Sequence, residues 1–489
     1  MNIELAGHYR YRRIIKTVLP SIGMVLVTSF YLIVDGFFVA NFAGKTGFAA
    51  INLTFPAIMM IGSLGLMIGS GGAALVAKIK GEGYPQKANR VFTMLVQFGL
   101  ALGIVLGVVL AIAAPAVARW LGADEPMMDE CILYIRLNMI GMPGFVLQCA
   151  FQSLYMAAER PQLGTQVTVV AGLTNILLDA ILVWGLGMGV AGAAIATSAG
   201  CLVGGLFPVV YFSSRHNKGS LRIMPTRIIW PYIGKACSNG LSEYVSSIAM
   251  NIVTICYNLQ LMKYLGEDGV SAYGVVMYIA FIFAAVFIGY NIGITPIIGF
   301  HFGAKDVGEQ RSLLHKSLII IGILGVLMVM ASELFAGPMA RVFVGYDEAL
   351  TTLTIRAMRL YMLAFFISGW NMFVSALFTG LNNGVVSAAA AFTRTLVFEL
   401  ACVWLLPSLI GIDGIWLSWG IAEVLSLILS AFLLFRFAPQ LVRKATFGET
   451  AASNCISPSI GISGWIAAVR FAAFLILSTV GPLPEPFVE

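Results

Sequence analysis

Polar and apolar residues in this chain alternate in long blocks. Apolar runs of about 20 or more residues, enough to cross a bilayer as helices, recur at roughly residues 14–41, 52–78, 91–119, 130–156, 163–186, 189–213, 236–264, 272–301, 313–337, 355–381, 385–407 and 414–437. Inside each run the apolar residues are continuous, which predicts helices and rejects a β-barrel, the other backbone that satisfies its hydrogen bonds in lipid. The pattern predicts twelve spans in two groups of six. Gly44, Gly47, Ala50, Gly71 and Gly81 return 222 positions later as Gly266, Gly269, Ala272, Gly293 and Gly303. Phe151, Ser153 and Gly192 return as Phe373, Ser375 and Gly414 at the same offset. Small residues serve close helix approach and backbone geometry, which both copies need. Charged residues mostly do not return, so the copies share a scaffold and differ in chemistry.

The polar breaks orient the spans. Every second loop is basic: Lys78, Lys80, Lys87 and Arg90, then Arg215, Lys218, Arg222, Arg227 and Lys235, then Lys305, Arg311 and Lys316. Roughly 20 basic residues fall on that side against about 7 on the other, a bias that marks the cytoplasmic face. The opposite loops carry Asp124, Glu125, Asp129, Glu130, Asp347 and Glu348. Arg10, Arg12, Arg13 and Lys16 precede the first run, so the N-terminus is expected in the cytoplasm. Six is even, so both copies enter from the same side, as parallel repeats about an axis along the membrane normal with the substrate path between two bundles. The expected organisation is a six-helix lobe at residues 1–213, a cytoplasmic linker at 214–235, and a second six-helix lobe at 236–437. Residues 438–489 form an atypical tail. Its apolar stretch from Ile460 to Val480 carries Arg470 near the middle, at a cost of about 2.5–3.5 kcal/mol for insertion, so an interfacial or poorly ordered segment is expected instead of a thirteenth span.

Composition agrees with a polytopic membrane protein. The chain is 59% hydrophobic and 11% charged, with a mean hydropathy of +0.91, more apolar surface than one aqueous core could hide. The formal charge of +6 is spread over short loops and reads as an orientation signal, with no nucleic-acid surface implied. Seven cysteines show neither paired nor metal-ligand spacing and read as small buried residues. The N-terminus lacks a cleavable signal, so the first span is expected to stay attached. No nucleotide-binding Gly-Lys-Ser loop, metalloprotease motif or Ser-His-Asp arrangement is present, which points away from an enzyme and from ATP as the direct energy source. His301 and His315, at the inner edge of the loop after span eight, are expected to be solvated.

Ionisable residues inside spans are costly and usually face a cavity or a partner. Here they are Asp35, Asp179, Glu243, Glu399 and Glu423, against Arg394. Asn175 and Asp179 lie one helical turn apart on one face. With Asp35 and Thr197 from other spans they make an all-oxygen set suited to a sodium ion, or to a proton shared by two acids. The plainer alternative is that Asp179 only hydrogen-bonds Asn175 and stabilises packing. Pro20 removes a backbone hydrogen bond from span one, giving either a hinge above Asp35 or a static kink. The second copy places Tyr257 and Ala401 where the first has Asp35 and Asp179. Glu243, beside Tyr244, is expected to line a substrate cavity. Glu399 either lines it too or pairs with Arg394, five residues before it. Methionines and aromatic residues are abundant, and an aromatic face or thioether could hold apolar cations.

The segments Val34-Asp-Gly-Phe-Phe-Val-Ala-Asn41, the duplicated Gly44/Gly47/Ala50 pattern, Gly81-Glu-Gly, Asn175 to Asp179 and Gly192-Ala-Ala-Ile-Ala-Thr197 resemble the multidrug and toxic compound extrusion (MATE) family, in its bacterial multidrug branch, over residues 10 to 437. The resemblance implies an all-α fold, a V-shaped pair of six-helix lobes. It also implies a secondary active antiporter, a monomer in the lipid of the cell (inner) membrane, that exports organic cations in exchange for sodium ions or protons without a cofactor. The family's N-lobe cation site falls on Asp35, Asn175, Asp179 and Thr197, and its first-helix bend on Pro20. Glu243 resembles an acid that some members carry on the seventh helix. An alternative is a lipid-linked sugar flippase of a related two-lobed fold. Its anionic cargo calls for a cavity lined with Arg and Lys, whereas this interior is acidic apart from Arg394. A non-transporting scaffold would leave the buried acids without a purpose.

Overall fold

A computed structural model describes residues 4–217 and 219–442, and every regular element among them is helical. The expected tail at 438–489, with Arg470 in its apolar stretch, lies almost entirely outside the described residues; only the short helix Pro439–Val442 follows the last long one. Ten helices are individually long and apolar enough to cross a membrane, and the bent pair Glu348–Met362 and Phe365–Gly380 supplies an eleventh. One of the ten, α8 (Trp230–Gly303), has 74 residues, or roughly 110 Å of helix, far more than one crossing requires. It is broken at Gly266, whose φ of 63° and ψ of −148° are not helical. Counting its two halves separately gives the twelve spans expected from the apolar pattern.

The first copy runs as α1 (Tyr11–Phe42), α2 (Gly44–Gly62), α3 (Leu64–Gly81), α4 (Pro85–Trp120), α5 (Glu125–Ala157), α6 (Pro161–Leu178) and α7 (Gly189–Ser213). After α8 come α9 (Val307–Val344), α10 (Glu348–Met362), α11 (Phe365–Gly380), α12 (Gly384–Phe392), α13 (Leu400–Ile410) and α14 (Ile412–Phe437). A seven-residue π-helical stretch interrupts the fifth span of each copy, Asp179–Gly185 after α6 and Thr393–Glu399 after α12. Such stretches insert a residue into the helical register and are frequent at functional sites. Helix α1 continues through Pro20, whose carbonyl accepts a hydrogen bond from Thr165 Oγ1 at 2.8 Å.

Two compact units divide the chain. The first holds the residues through Ser247 together with Ile288–Asp306 and Ala376–Ala388; the second holds Ile248–Phe287, Val307–Ser375 and the residues from Ala389 onward. The first unit therefore contains all of copy one and one end of several copy-two helices.

Within that unit the repeated glycines find their reason. A Cβ on Gly81 would run into the Phe300 carbonyl, and one on Gly303 into the Lys78 carbonyl. Residues 78 and 81 stand 222 before 300 and 303, so the two contacts are the same contact seen from each copy. Gly71 likewise abuts Ala236 and Gly240, and its counterpart Gly293 abuts Val18, which itself corresponds to Gly240. These backbone-to-backbone approaches sit on the basic side, where Asn239 Nδ2 donates to the Gly71 and Thr379 carbonyls at 3.4 and 2.9 Å. A second set of repeated glycines serves conformation: Gly44, Gly189, Gly266 and Gly411 all have positive φ, and the last two correspond to the first two at the same offset.

One sequence expectation fails on this side. His301 is buried, at 3% exposure, not solvated. The segment before α1 folds over it: Tyr9, fully buried, sets its ring edge-on 6.1 Å from the imidazole, and Leu5 N–H donates to Glu159. Arg13 stacks on Tyr9 at 4.4 Å, and Asp306 lies 3.5 Å from His301 Nδ1. His315 is exposed as expected.

Candidate cation site

Three helices of the first unit converge on the acidic residues of copy one, and small residues set how closely. Gly172 on α6 leaves space that the Tyr31 ring of α1 occupies, one turn from Asp35. Gly200 on α7, three residues after Thr197, faces Asn175 in the same way. Asp179 is the first residue of the π-helical stretch. The structure thus brings together all four residues singled out from the sequence, from α1, α6 with its π extension, and α7.

Asn175 Nδ2 donates to Asp35 Oδ1 at 3.4 Å, and Asp35 also faces Asp179 and Thr197. Asp179 is wholly buried and Asn175 is 3% exposed. Neither Asp179 oxygen, nor Asn175 Oδ1, nor Thr197 Oγ1 has a hydrogen-bond partner, although all are shielded from solvent. Orphaned polar atoms are uncommon, since leaving one unsatisfied costs about 1–3 kcal/mol and more for a charged group. Four acceptor oxygens from three residues, turned toward a second carboxylate, form a donor set for a hard cation. Two ionised carboxylates this close repel, so a shared proton or one monovalent cation would relieve the site.

Beside it lies a small recess walled by Tyr31, Phe55, Met59, Phe145 and Gln148, among others, and reaching Asn175 and Thr197. Its lining is mostly apolar, with the amides of Asn138, Gln148 and Asn175 and the hydroxyls of Thr197 and Ser198 among it. Sequence reasoning missed Tyr31, Gln148 and the buried Tyr134, which shares the acids' electrostatic surroundings. Periodicity could not select them, because aromatic residues occur on every span. Glu243 and Tyr244 are half-buried on the first half of α8, in this same unit. Among the described residues, no hydrogen bond or ion pair joins either of them to the Asp35 group.

The second unit holds the remaining charges. Arg394 does not pair with Glu399: its Nε and a terminal nitrogen donate to Glu423 Oε1 at 2.8 and 2.6 Å. Trp419 Nε1 donates to the same oxygen at 3.0 Å, and Asn371 Nδ2 to Glu423 Oε2 at 2.6 Å. Arg394 and Glu399 both lie in the π-helical stretch, and α14 presents Glu423 directly to the arginine.

Comparison with known proteins places the chain in a family. The family model described as MatE matches residues 20–181 and 244–405, one match in each copy. The chain is 21% identical over 426 residues to the multidrug export protein MepA of Staphylococcus aureus strain MRSA252, covering 86% of this chain and 93% of that protein. MepA of Staphylococcus haemolyticus is 22% identical over 436 residues, with 88% and 95% covered. Among solved structures, a MATE transporter in complex with MaL6 superposes with a TM-score of 0.83 at 22% identity, covering 90% of this chain and 99% of that one. A transporter of the MOP superfamily from Pyrococcus furiosus, described as having a binding pocket of reverse polarity, superposes at 0.82 with 23% identity, covering 91% and 99%.

Proposed function

Because the chain belongs to the MatE family, we propose that this multi-pass transporter is a secondary active multidrug antiporter of the cell (inner) membrane, with its N-terminus in the cytoplasm, that exports organic cations in exchange for sodium ions or protons. The observation that carries the reading is the group of orphaned, buried oxygens on Asn175, Asp179 and Thr197, turned toward Asp35. A positive charge entering such a set would complete it. The relatives named as multidrug export proteins support the cargo class. A carrier of anionic headgroups would need positive charge where this site has two carboxylates.

In this scheme Asp35 and Asp179 hold the coupling ion, Asn175 and Thr197 complete its oxygen shell, and Pro20 lets α1 bend when the ion leaves. Glu243 and Tyr244 belong to the path of the organic cation. Proteoliposomes containing the full chain test this with a fluorescent cation and with sodium and pH gradients imposed one at a time. Export should follow at least one gradient without ATP. Asp179→Asn keeps the shape and removes a charge. It should reach the membrane at parental level yet export at about a tenth of the parental rate or less, the scale of one lost charge-assisted contact. Equal export at equal expression would remove the coupling ion from this site.

A further inference from the structure

The 222-residue offset carries the four residues of the cation site onto Tyr257, Val397, Ala401 and Trp419. The second copy has therefore lost every oxygen ligand of the first except a phenol, and has gained aromatic rings in their place. Those rings cluster in the second unit. Tyr257 and Tyr273 stack at 5.0 Å, Tyr361 packs edge-on to both at 6.0 and 6.1 Å, and Tyr361 and Trp419 lie 4.8 Å apart. Glu399 sits two residues before the counterpart of Asp179, at the end of the π-helical stretch, and its charge bears on the hydroxyls of all three tyrosines. It is only 8% exposed, and among the described residues it has neither a hydrogen bond nor an ion pair. Arg394 acts on it only from a distance, since its hydrogen bonds go to Glu423. The same Glu423 holds the indole of Trp419, a half-buried residue whose ring also meets Phe365 edge-on at 4.9 Å.

A buried carboxylate with no ion pair of its own, beside an aromatic cluster whose Trp419 is only half-buried, is suited to a soft organic cation. Aromatic faces attract such ions once water is displaced, and they offer little to a hard ion that needs an oxygen shell. We propose that the second copy binds the cationic group of the exported compound, with Tyr361 and Trp419 as its platform and Glu399 as its counter-ion. The small coupling ion is thus left to the first copy. This rests on the antiport reading above and divides its two cargoes between the copies.

Equilibrium binding tests it without a gradient. Ethidium, a planar organic cation, is titrated by fluorescence anisotropy against the purified full chain in lipid nanodiscs. Glu399→Gln and Trp419→Leu should each weaken ethidium binding by about tenfold or more, and Trp419→Phe should restore it to within about threefold of the parental value. Gel filtration establishes that each variant is folded, and the phenylalanine variant separates loss of the ring from loss of the fold. If either Glu399→Gln or Trp419→Leu, monodisperse, binds ethidium as the parent does, the proposal is overturned. It is equally overturned if Asp179→Asn abolishes binding while Glu399→Gln leaves it intact, since the organic cation would then sit in the first copy. A protein that binds ethidium in this pattern but whose export ignores both gradients would support this site and refute the antiport.

Discussion

Glu423 and Glu399 are both buried carboxylates on neighbouring spans, yet they stand in opposite situations. Glu423 accepts from Arg394, Trp419 and Asn371, so losing its charge strands a guanidinium in a poorly solvating interior. Glu423→Gln is expected to destabilise the protein by about 3–5 kcal/mol, the usual cost of breaking a buried pair from one side. Glu399→Gln has no partner to strand and should leave the thermal unfolding temperature unchanged. Thermal denaturation followed by tryptophan fluorescence compares the two, and equal losses would show that Glu399 is held by structure after all. Residues of this kind were half legible in the sequence. That the spans carry acids is plain from hydropathy, but which charge meets which depends on helix rotation, and of the two readings left open for Glu399 the pairing with Arg394 falls to Glu423 instead. His301 was misread for a related reason: residues 4–9 have no periodicity, so nothing in them announced that they would cover it.

At the scale of elements, the repeated glycines predicted helix contacts but not between which helices. The structure shows two different demands behind one pattern. Gly266 and Gly411, with φ of 63° and 68° and ψ of −148°, occupy a region open almost only to glycine. Replacing either with alanine should cost about 1–3 kcal/mol, read as a lower unfolding temperature. Gly81 and Gly303 instead separate two backbones. Gly81→Ala and Gly303→Ala should each cost about 1–3 kcal/mol through overpacking. Because both widen the same crossing, the double variant should cost less than the two single effects added. Strict additivity in a double-mutant cycle would mean that the two sites relax independently. The twelve spans were readable from length and apolarity alone. The π-helical stretches were not, since one inserted residue leaves a continuous apolar run unchanged.

On the scale of the whole molecule, the linker expected as a polar break between lobes is in part docked. Arg222 N–H donates to Asn89 Oδ1, Met224 N–H donates to Thr93 Oγ1, and Leu221 is buried. Trypsin should therefore spare the bond after Arg222 in the native protein, and Asn89→Ala should expose it; prompt cleavage in the parental chain would contradict the docking. The crossing of Gly81 and Gly303 has a further consequence. Residue 81 meets 300 while 303 meets 78, the self-complementary pairing of an isologous interface, such as a two-fold dimer of half-length chains displays. An interface of that kind needs no covalent tether to find its register. Residues 1–226 and 227–489, made as separate polypeptides in one cell, should then assemble and co-purify, with a valine at position 81 or 303 enough to keep them apart.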